Sequence, residues 1–182
     1  DNLFKKIQDD TDIIILPETF TTGFPAEPEL FAEDENGPTM TWLREKAKEK
    51  NCAICGSFIT AFGLQSTVYG LQTPSNSQIL KFHNTFVWMN PDGSYQTYDK
   101  RHTFMGGEKE QLCTGENLIT INYKGWRIRP FVCYDLRFPV WLRNSYKDGV
   151  FGYDLAIVIA NWPMQKSHIW NTLIPARAIE NQ

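Results

Sequence analysis

The sequence predicts an α/β fold from three observations. Two runs of apolar residues, 12–16 and 154–160, have the composition of strands that are buried on both faces. Two pairs of strands are joined by short turns, at Asn90-Pro91-Asp92-Gly93 and at Lys124-Gly125. Charged segments with apolar residues at helical spacing account for the helices. Hairpins mixed with doubly buried strands and helices are typical of layered α/β domains.

The first half of the chain is punctuated by proline and glycine. Pro17 ends the first strand, and Gly37-Pro38-Thr39 is a helix-start signal before the charged run from Arg44 to Lys50. Residues 60–81 are rich in Gly, Ser, Thr, Gln and Pro, and this composition predicts a loop or an irregular excursion of the chain. The predicted elements are, in order, a short helix at 3–7, a strand at 13–16, a surface helix at 38–50 and a strand at 52–59.

The second half predicts strands first and a longer helix last. The turn at 90–93 has Pro at its second position, which presets φ, and Gly at its fourth. Trp170, Leu173 and Ile174 mark the apolar side of the last helix. The predicted elements are strands at 82–89, 95–100, 118–123 and 126–132, a short helix at 139–146, a strand at 154–160 and a helix at 166–180.

Composition limits the classes of function. The 182 residues include 18 Lys and Arg against 21 Asp and Glu, and 42% are hydrophobic, which suffices for a single domain over 1–182. The formal charge of −3 offers no basic surface for nucleic acid, and the apolar runs are far shorter than the roughly 20 residues of a membrane helix. Four cysteines are too few for a disulfide scaffold. We therefore expect a protein of the reducing cytoplasm that binds neither nucleic acid nor membrane.

Three polar residues each come at the end of a predicted strand: Glu18, Lys100 and Cys133. Reactive groups in α/β sheets gather at the carboxyl ends of strands, so we expect these side chains to converge. A nearby base or cation raises the thiolate fraction of a cysteine, and a fixed positive charge stabilises an oxyanion. The spacing therefore predicts a nucleophilic site in which Glu18 takes the thiol proton. The same spacing also fits a buried cysteine with a surface glutamate and a surface lysine.

Five short motifs surround these positions. They are Leu16-Pro17-Glu18, Tyr98-Asp99-Lys100-Arg101-His102, Cys133-Tyr134-Asp135-Leu136-Arg137-Phe138-Pro139, Ala160-Asn161-Trp162-Pro163 and Ala176-Arg177-Ala178-Ile179-Glu180-Asn181. In their residues and in their order along the chain, these motifs resemble the nitrilase, or carbon-nitrogen hydrolase, superfamily over nearly the whole chain. The last two motifs look most like its omega-amidase branch.

The resemblance implies a fold, an assembly and a mechanism. The fold would be a four-layer αββα sandwich that forms homodimers or larger homo-oligomers and needs no cofactor and no metal. Glu18 would accept the proton of Cys133, and the thiolate would attack the carbonyl of a small-molecule amide. Lys100 and the backbone N–H of Tyr134 would hold the oxyanion. Ammonia would then leave, and water would hydrolyse the thioester.

Two charged residues could complete this site. Members of the family carry a second glutamate soon after the lysine, and Glu108 fits that spacing better than Glu110. Both glutamates could instead belong to a solvated charged loop. An omega-amide substrate also carries a carboxylate, which the guanidinium of Arg137 suits. The alternative for Arg137 is a structural ion pair with Asp135 or another acid.

Aromatic, histidine and cysteine residues leave further alternatives open. Phe20, Phe24 and Trp162 lie beside predicted strand ends and could line a substrate pocket or simply pack in the core. His102 is expected to be structural rather than the partner of Cys133 in a Cys–His dyad. The CxxC spacing at 52–55 falls on a strand, where its two thiols point to opposite faces, which favours core packing over a redox or metal site.

Taken together, the sequence predicts an amidase that releases ammonia from the terminal amide of a small carboxylic acid. The most specific prediction is the omega-amide of a 2-oxo dicarboxylic acid, such as 2-oxoglutaramate. The same three residues would also serve a deaminated-glutathione amidase or a carbamoyl-amide hydrolase. A non-catalytic oligomeric binding module is the remaining class, and the presence of all three residues argues against it.

The ends of the chain carry a separate expectation. The family domain is longer than this chain, which begins in a predicted helix with no strand before it and stops at Glu180-Asn181-Gln182 with no strand after it. We expect a core segment of the domain that is incomplete at both ends. Its open sheet edges would promote aggregation.

Overall fold

Two β-sheets form the centre of the protein. The structure is a computed structural model that describes residues 3–24, 27–61 and 81–182. The first sheet has the order β1-β2-β3-β4, built from Ile13–Ile15, Ala53–Thr60, His83–Met89 and Tyr95–Asp99. The second has the order β5-β6-β9, built from Ile121–Tyr123, Trp126–Val132 and Leu155–Ile159. Strand β1 runs parallel to β2, and β6 runs parallel to β9.

Short helices and one small hairpin complete the described part of the chain. The α-helices are α1 (Pro28–Phe31), α2 (Pro38–Lys50), α3 (Pro139–Leu142) and α4 (Ser167–Asn181). Three 3₁₀ turns cover Phe4–Lys6, Cys133–Arg137 and Met164–Lys166. Strands β7 (Tyr146–Lys147) and β8 (Val150–Phe151) pair with each other. No helix in the described ranges is both long and apolar enough to cross a membrane.

The alternation of side chains along the strands builds four layers. Phe86 and Trp88 on β3 belong to the core between the two sheets, whereas Val87 and Met89 pack with α2 on the outer face. On the second sheet, Phe131 and Val158 face outward and pack with residues of α3 and α4. The order helix, sheet, sheet, helix confirms the αββα sandwich.

Both predicted hairpins are confirmed, because their turn residues dictate local geometry. The N–H of Gly93 donates to the carbonyl of Asn90 at 3.0 Å, which closes the turn between β3 and β4. Lys124 and Gly125 have φ values of +48° and +84°, the left-handed pair that a two-residue hairpin requires. The surface helix and the last helix also form where they were predicted.

Three expectations about burial and length are wrong. Ile15 is 53% exposed and Leu155 is 38% exposed, so β1 and β9 are not buried on both faces. Each is an edge strand within the described part of its sheet, and an apolar run does not reveal that position. The helix predicted at 139–146 ends at Leu142 because Asn144 exchanges side-chain hydrogen bonds with the backbone of Tyr153 and turns the chain. Of the excursion predicted at 60–81, residues 62–80 lie outside the described residues.

Candidate active site

Cys133 stands at the point where β6 ends. It is the first residue of the 3₁₀ turn Cys133–Arg137, and its φ of +46° lies in the left-handed region. That conformation is costly for a residue with a Cβ, and such strain clusters at functional sites. The turn brings Cys133 to a cavity of about 200 Å³, which Lys100 also lines.

Lys100 is a buried cation held between two carboxylates. Its Nζ lies 2.8 Å from Oε1 of Glu18 and 2.6 Å from Oε2 of Glu108. All three side chains are nearly inaccessible to solvent. Charges at this depth are stable only when they are paired and hydrogen-bonded, so the cluster is a built feature of the fold. The structure thus places Glu108 in the site, whereas Glu110 is exposed.

Backbone hydrogen bonds fix each of these charges. The turn after β1 that carries Glu18 is tied to β2, because the N–H groups of Thr19 and Phe20 donate to the side chain and the carbonyl of Ser57. The N–H of Lys100 donates to the carbonyl of Asn84 on β3 at 2.9 Å. Strands β1, β4 and β6 therefore deliver Glu18, Lys100 and Cys133 to one place, as their strand-end positions predicted.

Two residues that the sequence did not single out bind the glutamates. Nδ2 of Asn84 lies 3.0 Å from Oε1 of Glu18 and 3.0 Å from Oε1 of Glu108. The backbone N–H of Asn161 donates to Oε2 of Glu18 at 2.7 Å. A signal for Asn84 was present, since His83-Asn84-Thr85 is a polar stretch inside an otherwise apolar strand.

The pKa values of Lys100 and Cys133 are both raised in the folded protein. Burial alone would lower the pKa of Lys100, but the charges of Glu18 and Glu108 outweigh it and raise that pKa above its usual range. Burial, and then the negative charge of Glu18, raise the pKa of Cys133 well above that of a free thiol, although Lys100 opposes the shift. This raised pKa favours the neutral thiol of Cys133 at rest. Of the two neighbours that were expected to raise the thiolate fraction, Lys100 acts in that sense and the charge of Glu18 acts in the opposite sense.

Aromatic and cationic side chains form the rest of the cavity wall. Of the two interpretations of Phe24 and Trp162, the structure supports the one that places them at a pocket. They line the cavity together with Tyr134, Arg137, Phe104, Asn161, Pro163 and Lys166. Phe20 does not, because it packs between Trp42 and Phe58 in the core. Sequence reasoning missed Lys166, whose Nζ lies 5.4 Å from the centre of the Phe104 ring.

Arg137 does not form the ion pair with Asp135 that was one of its two interpretations. Its guanidinium lies 5.7 Å from the ring centres of both Tyr134 and Trp162, and within the described residues it has no carboxylate partner. Asp135 is fully buried and accepts hydrogen bonds from Tyr98, from Val132 and from both the backbone and the ring of His102. The guanidinium of Arg137 is thus available at the cavity.

Histidine and the remaining cysteines have structural surroundings. The ring of His102 stacks on Phe138 with centres 3.6 Å apart, so the ring is held by Phe138 and Asp135. Cys52 and Cys55 are buried on β2 and its approach, and burial raises the pKa of Cys55 to about 12. The described ranges contain no group of three or more His, Cys, Asp or Glu residues arranged to hold a metal ion.

The αββα sandwich and the buried Glu–Lys–Cys cluster define a protein of the nitrilase type. The family model for carbon-nitrogen hydrolases matches residues 3–182, so the chain belongs to the carbon-nitrogen hydrolase family. The omega-amidase YafV of Yersinia enterocolitica is 41% identical over 183 residues, which cover 100% of this chain and 62% of that protein. The 2-oxoglutaramate amidase of Bacillus subtilis is 29% identical over 174 residues, which cover 94% of this chain and 60% of that protein.

A solved structure shares both fold and sequence. It is the crystal structure of a CN-hydrolase superfamily protein from Xanthomonas campestris with an arsenic adduct in its active site. The two structures align with a TM-score of 0.85 at 40% identity, over 99% of this chain and 63% of the other. The chain thus spans about three fifths of the length of the relatives it matches.

Proposed function

We propose that this chain carries the catalytic centre of an amidase that releases ammonia from the omega-amide of a small carboxylic acid. The observation that carries the proposal is the Lys100 ammonium, bound by Glu18 and Glu108 beside Cys133 at a cavity of about 200 Å³. Pockets for drug-sized ligands begin at about 300 Å³, so this cavity suits a small substrate. Relatives that bear the names omega-amidase and 2-oxoglutaramate amidase support the same substrate class.

The acylation step follows from the resting protons. Glu18 takes the proton from the Cys133 thiol as the sulfur attacks the amide carbonyl, and a tetrahedral intermediate forms. Lys100 and the backbone N–H of Tyr134, in the first turn of the 3₁₀ segment, stabilise its oxyanion. Glu18 returns the proton to the amide nitrogen, the carbon–nitrogen bond breaks, and ammonia leaves a thioester on Cys133.

Deacylation uses the same groups in the reverse sense. A water molecule gives a proton to Glu18 and attacks the thioester carbonyl, again with its oxyanion at Lys100. The carbon–sulfur bond then breaks, and the proton returns to the sulfur of Cys133. The products are the carboxylic acid and the neutral thiol, which is the resting state that burial favours. Glu108 contributes to both steps by holding Lys100 in place.

The cavity wall supports recognition of an anionic substrate. Arg137 and Lys166 bring two positive charges to the cavity lining, and each lies near aromatic rings. A guanidinium binds a carboxylate through two parallel hydrogen bonds. We assign the distal carboxylate of the substrate to Arg137, with Lys166 adding a second positive charge for a 2-oxo acid.

Ammonia release from a panel of amides tests the proposal. We expect 2-oxoglutaramate to be hydrolysed faster than glutamine, deaminated glutathione and a simple aliphatic amide such as propionamide. Equal rates on the aliphatic amide would contradict the assignment to 2-oxo acids. The protein with Cys133→Ala is the control for contaminating amidases, and it should release no ammonia.

The role of Arg137 has its own test. Arg137→Gln should raise KM for 2-oxoglutaramate and leave the rate on propionamide nearly unchanged, because the lost contact is to the far end of the substrate. Arg143→Gln, which changes an exposed arginine outside the cavity lining, is the matched control. If Arg137→Gln kept the preference of wild type for 2-oxoglutaramate over propionamide, the proposed role of Arg137 would be wrong.

We further propose that the protein acts as a homodimer or larger homo-oligomer in a reducing compartment such as the cytoplasm. The four cysteines are all free, which supports the choice of compartment. Analytical ultracentrifugation decides the oligomeric state, and a single species at the mass of one chain would contradict this part of the proposal.

A further inference from the structure

Asn84 lies between the two buried carboxylates of the site. It belongs to β3 and is 1% exposed. Its single Nδ2 atom is within 3.0 Å of an oxygen of Glu18 and within 3.0 Å of an oxygen of Glu108. A side-chain amide has two N–H protons, so both are used on the carboxylates.

The other end of the same amide shows that this arrangement has a cost. Oδ1 of Asn84 is buried and has no hydrogen-bond partner among the described residues. A buried unpaired carbonyl oxygen is unfavourable. The reverse orientation would point that oxygen at two carboxylates, which offer only acceptors. The fold therefore keeps an unpaired acceptor in order to present two donors to Glu18 and Glu108.

Counting donors indicates what the amide achieves at Glu18. A carboxylate offers about four acceptor positions. Oε1 of Glu18 accepts from Lys100 and Asn84, and Oε2 accepts from the N–H of Asn161. One acceptor position on Oε2 is left without a donor among the described residues, and Glu18 is close enough to Cys133 for its charge to raise the pKa of that thiol. The three donors thus fix the orientation of the Glu18 carboxylate and leave one of its acceptor positions unpaired.

We propose that Asn84 is a positioning residue, which holds Glu18 and Glu108 around Lys100 so that Glu18 keeps one acceptor position available for the proton of Cys133. A neutral amide suits this task because it binds two anions without changing the charge of a cluster that holds two carboxylates and one ammonium. The proposal rests on the proposed function, in which Glu18 moves the thiol proton.

Two substitutions at Asn84 test the proposal. Asn84→Ala removes both donors, and Asn84→Asp keeps the shape but replaces the donor with a further acidic group. We expect kcat on 2-oxoglutaramate to fall about 100-fold or more in both, as for a misplaced catalytic group, with KM within about threefold of wild type. Asn122→Asp makes the same chemical change on an exposed strand residue and should leave kcat unchanged.

A pH profile separates positioning from simple destabilisation. The titratable groups that face Glu18 are Lys100, Glu108 and Cys133, and all three are retained in Asn84→Ala. Because Asn84→Ala changes only the hydrogen bonding of this cluster, the acid limb of kcat/KM should differ from that of wild type, whereas a purely structural loss would lower the rate equally at every pH. Rates are expressed per folded molecule, from near-UV circular dichroism, so that a loss of folded protein does not count as a loss of kcat.

Alkylation of Cys133 by iodoacetamide provides a readout that needs no substrate. We expect Cys133 to react roughly tenfold more slowly in Asn84→Ala than in wild type, with Cys113 as the internal reference. If wild type releases no ammonia from any omega-amide but this difference persists, the proposed function fails and the role of Asn84 stands. An unchanged kcat, acid limb and alkylation rate in folded Asn84→Ala would overturn the proposal.

Discussion

The residues of this site depend on one another, because each buried charged or polar group is stabilised by a neighbour in the site. Lys100 pairs with both Glu18 and Glu108, and Asn84 donates hydrogen bonds to the same two carboxylates. Removing one member therefore leaves the others buried without a partner, which costs more than the lost contact itself. Substitutions should consequently affect both chemistry and stability, and the balance between the two differs from residue to residue.

Glu18→Gln should slow the chemical step strongly while changing the shape of the site very little. The amide of glutamine cannot take the thiol proton, and general-base catalysis contributes about 10²- to 10⁴-fold, so kcat should fall by that factor. The measurement is ammonia release at saturating 2-oxoglutaramate. Glu110→Gln makes the same change on an exposed loop residue and should retain full activity. Comparable rates for the two variants would remove Glu18 from its assigned role.

Lys100→Met should instead destabilise the fold, because it leaves two buried carboxylates with no cation. We expect the free energy of unfolding to fall by about 3–5 kcal/mol at neutral pH, measured by urea denaturation. The pKa of Lys100 is raised in the folded protein, so its contribution is complete below about pH 10.4 and is lost only as the pH rises through the raised value.

The pH dependence and a matched lysine check this interpretation. The difference in unfolding free energy between wild type and Lys100→Met should stay constant from pH 7 to about pH 10 and should shrink as the pH rises further through the raised pKa of Lys100. Lys109→Met removes an exposed lysine from the loop that follows β4 and should change the free energy of unfolding by less than about 0.5 kcal/mol. Equal effects of the two substitutions would argue against a buried charge cluster.

At the residue scale, the sequence allows prediction of those positions whose role is set by local pattern. Glu18, Lys100 and Cys133 follow strands directly, and the resemblance of their motifs to a family implied a mechanism. The polar stretch at 83–85 marks Asn84 as unusual, but the roles of Asn84 and Lys166 could not be predicted, because they depend on which strand and which turn lie opposite them. Nor could the resting state of Cys133 be predicted, since burial and the nearby carboxylate decide its pKa.

At the scale of elements, the turns were predictable and the positions of strands within the sheets were not. The hairpin at 90–93 follows from the local φ preferences of Pro and Gly, and Gly125 readily adopts one of the two positive φ values of the turn at 124–125. The exposure of Ile15 and Leu155 depends on their strands lying at the described edges of the sheets. Whether a strand lies at the edge or in the centre of a sheet depends on which strands pair with it, and an apolar run in the sequence does not reveal this.

One contact between elements holds the end of β4 in place, and it requires a glycine. The N–H of Gly115 donates to the carbonyl of Lys100 at 2.9 Å. A Cβ on Gly115 would lie 2.0 Å from the carbonyl oxygen of Asp99, far inside van der Waals contact. Gly115→Ala must therefore displace the strand end that carries Lys100. We expect a loss of about 1–3 kcal/mol in unfolding free energy and a fall in kcat.

Gly149→Ala is the control for this prediction. Gly149 has a φ of +83° in the turn between β7 and β8, and no described atom lies within 4 Å of its added Cβ. Alanine there should cost about 1–2 kcal/mol from backbone strain alone and should leave kcat unchanged. Retention of full kcat in Gly115→Ala would show that the strand end does not depend on this contact.

At the scale of the whole molecule, the site is assembled across two sheets. Glu18 and Lys100 follow strands of the first sheet, whereas Cys133 and Asn161 follow strands of the second. The core between the sheets therefore sets the distance between base and nucleophile. The apolar runs of the sequence predicted where the strands lie. That the two sheets pack face to face was implied only by the resemblance to a family.

Trp88→Ala tests whether this shared core controls the site. Trp88 is fully buried on β3 in the core between the sheets, with its ring 5.3 Å from that of Tyr123 on the second sheet. Truncation should lower the unfolding free energy by about 3–5 kcal/mol and should lower kcat of the folded protein, because the sheets can shift relative to each other. Trp126→Ala removes a ring of the same size that is 57% exposed, and it should cost less than about 0.5 kcal/mol with no change in kcat. If Trp88→Ala is destabilised by the expected amount but keeps wild-type kcat per folded molecule, the distance between Glu18 and Cys133 is fixed by the hydrogen bonds at the strand ends and not by the core.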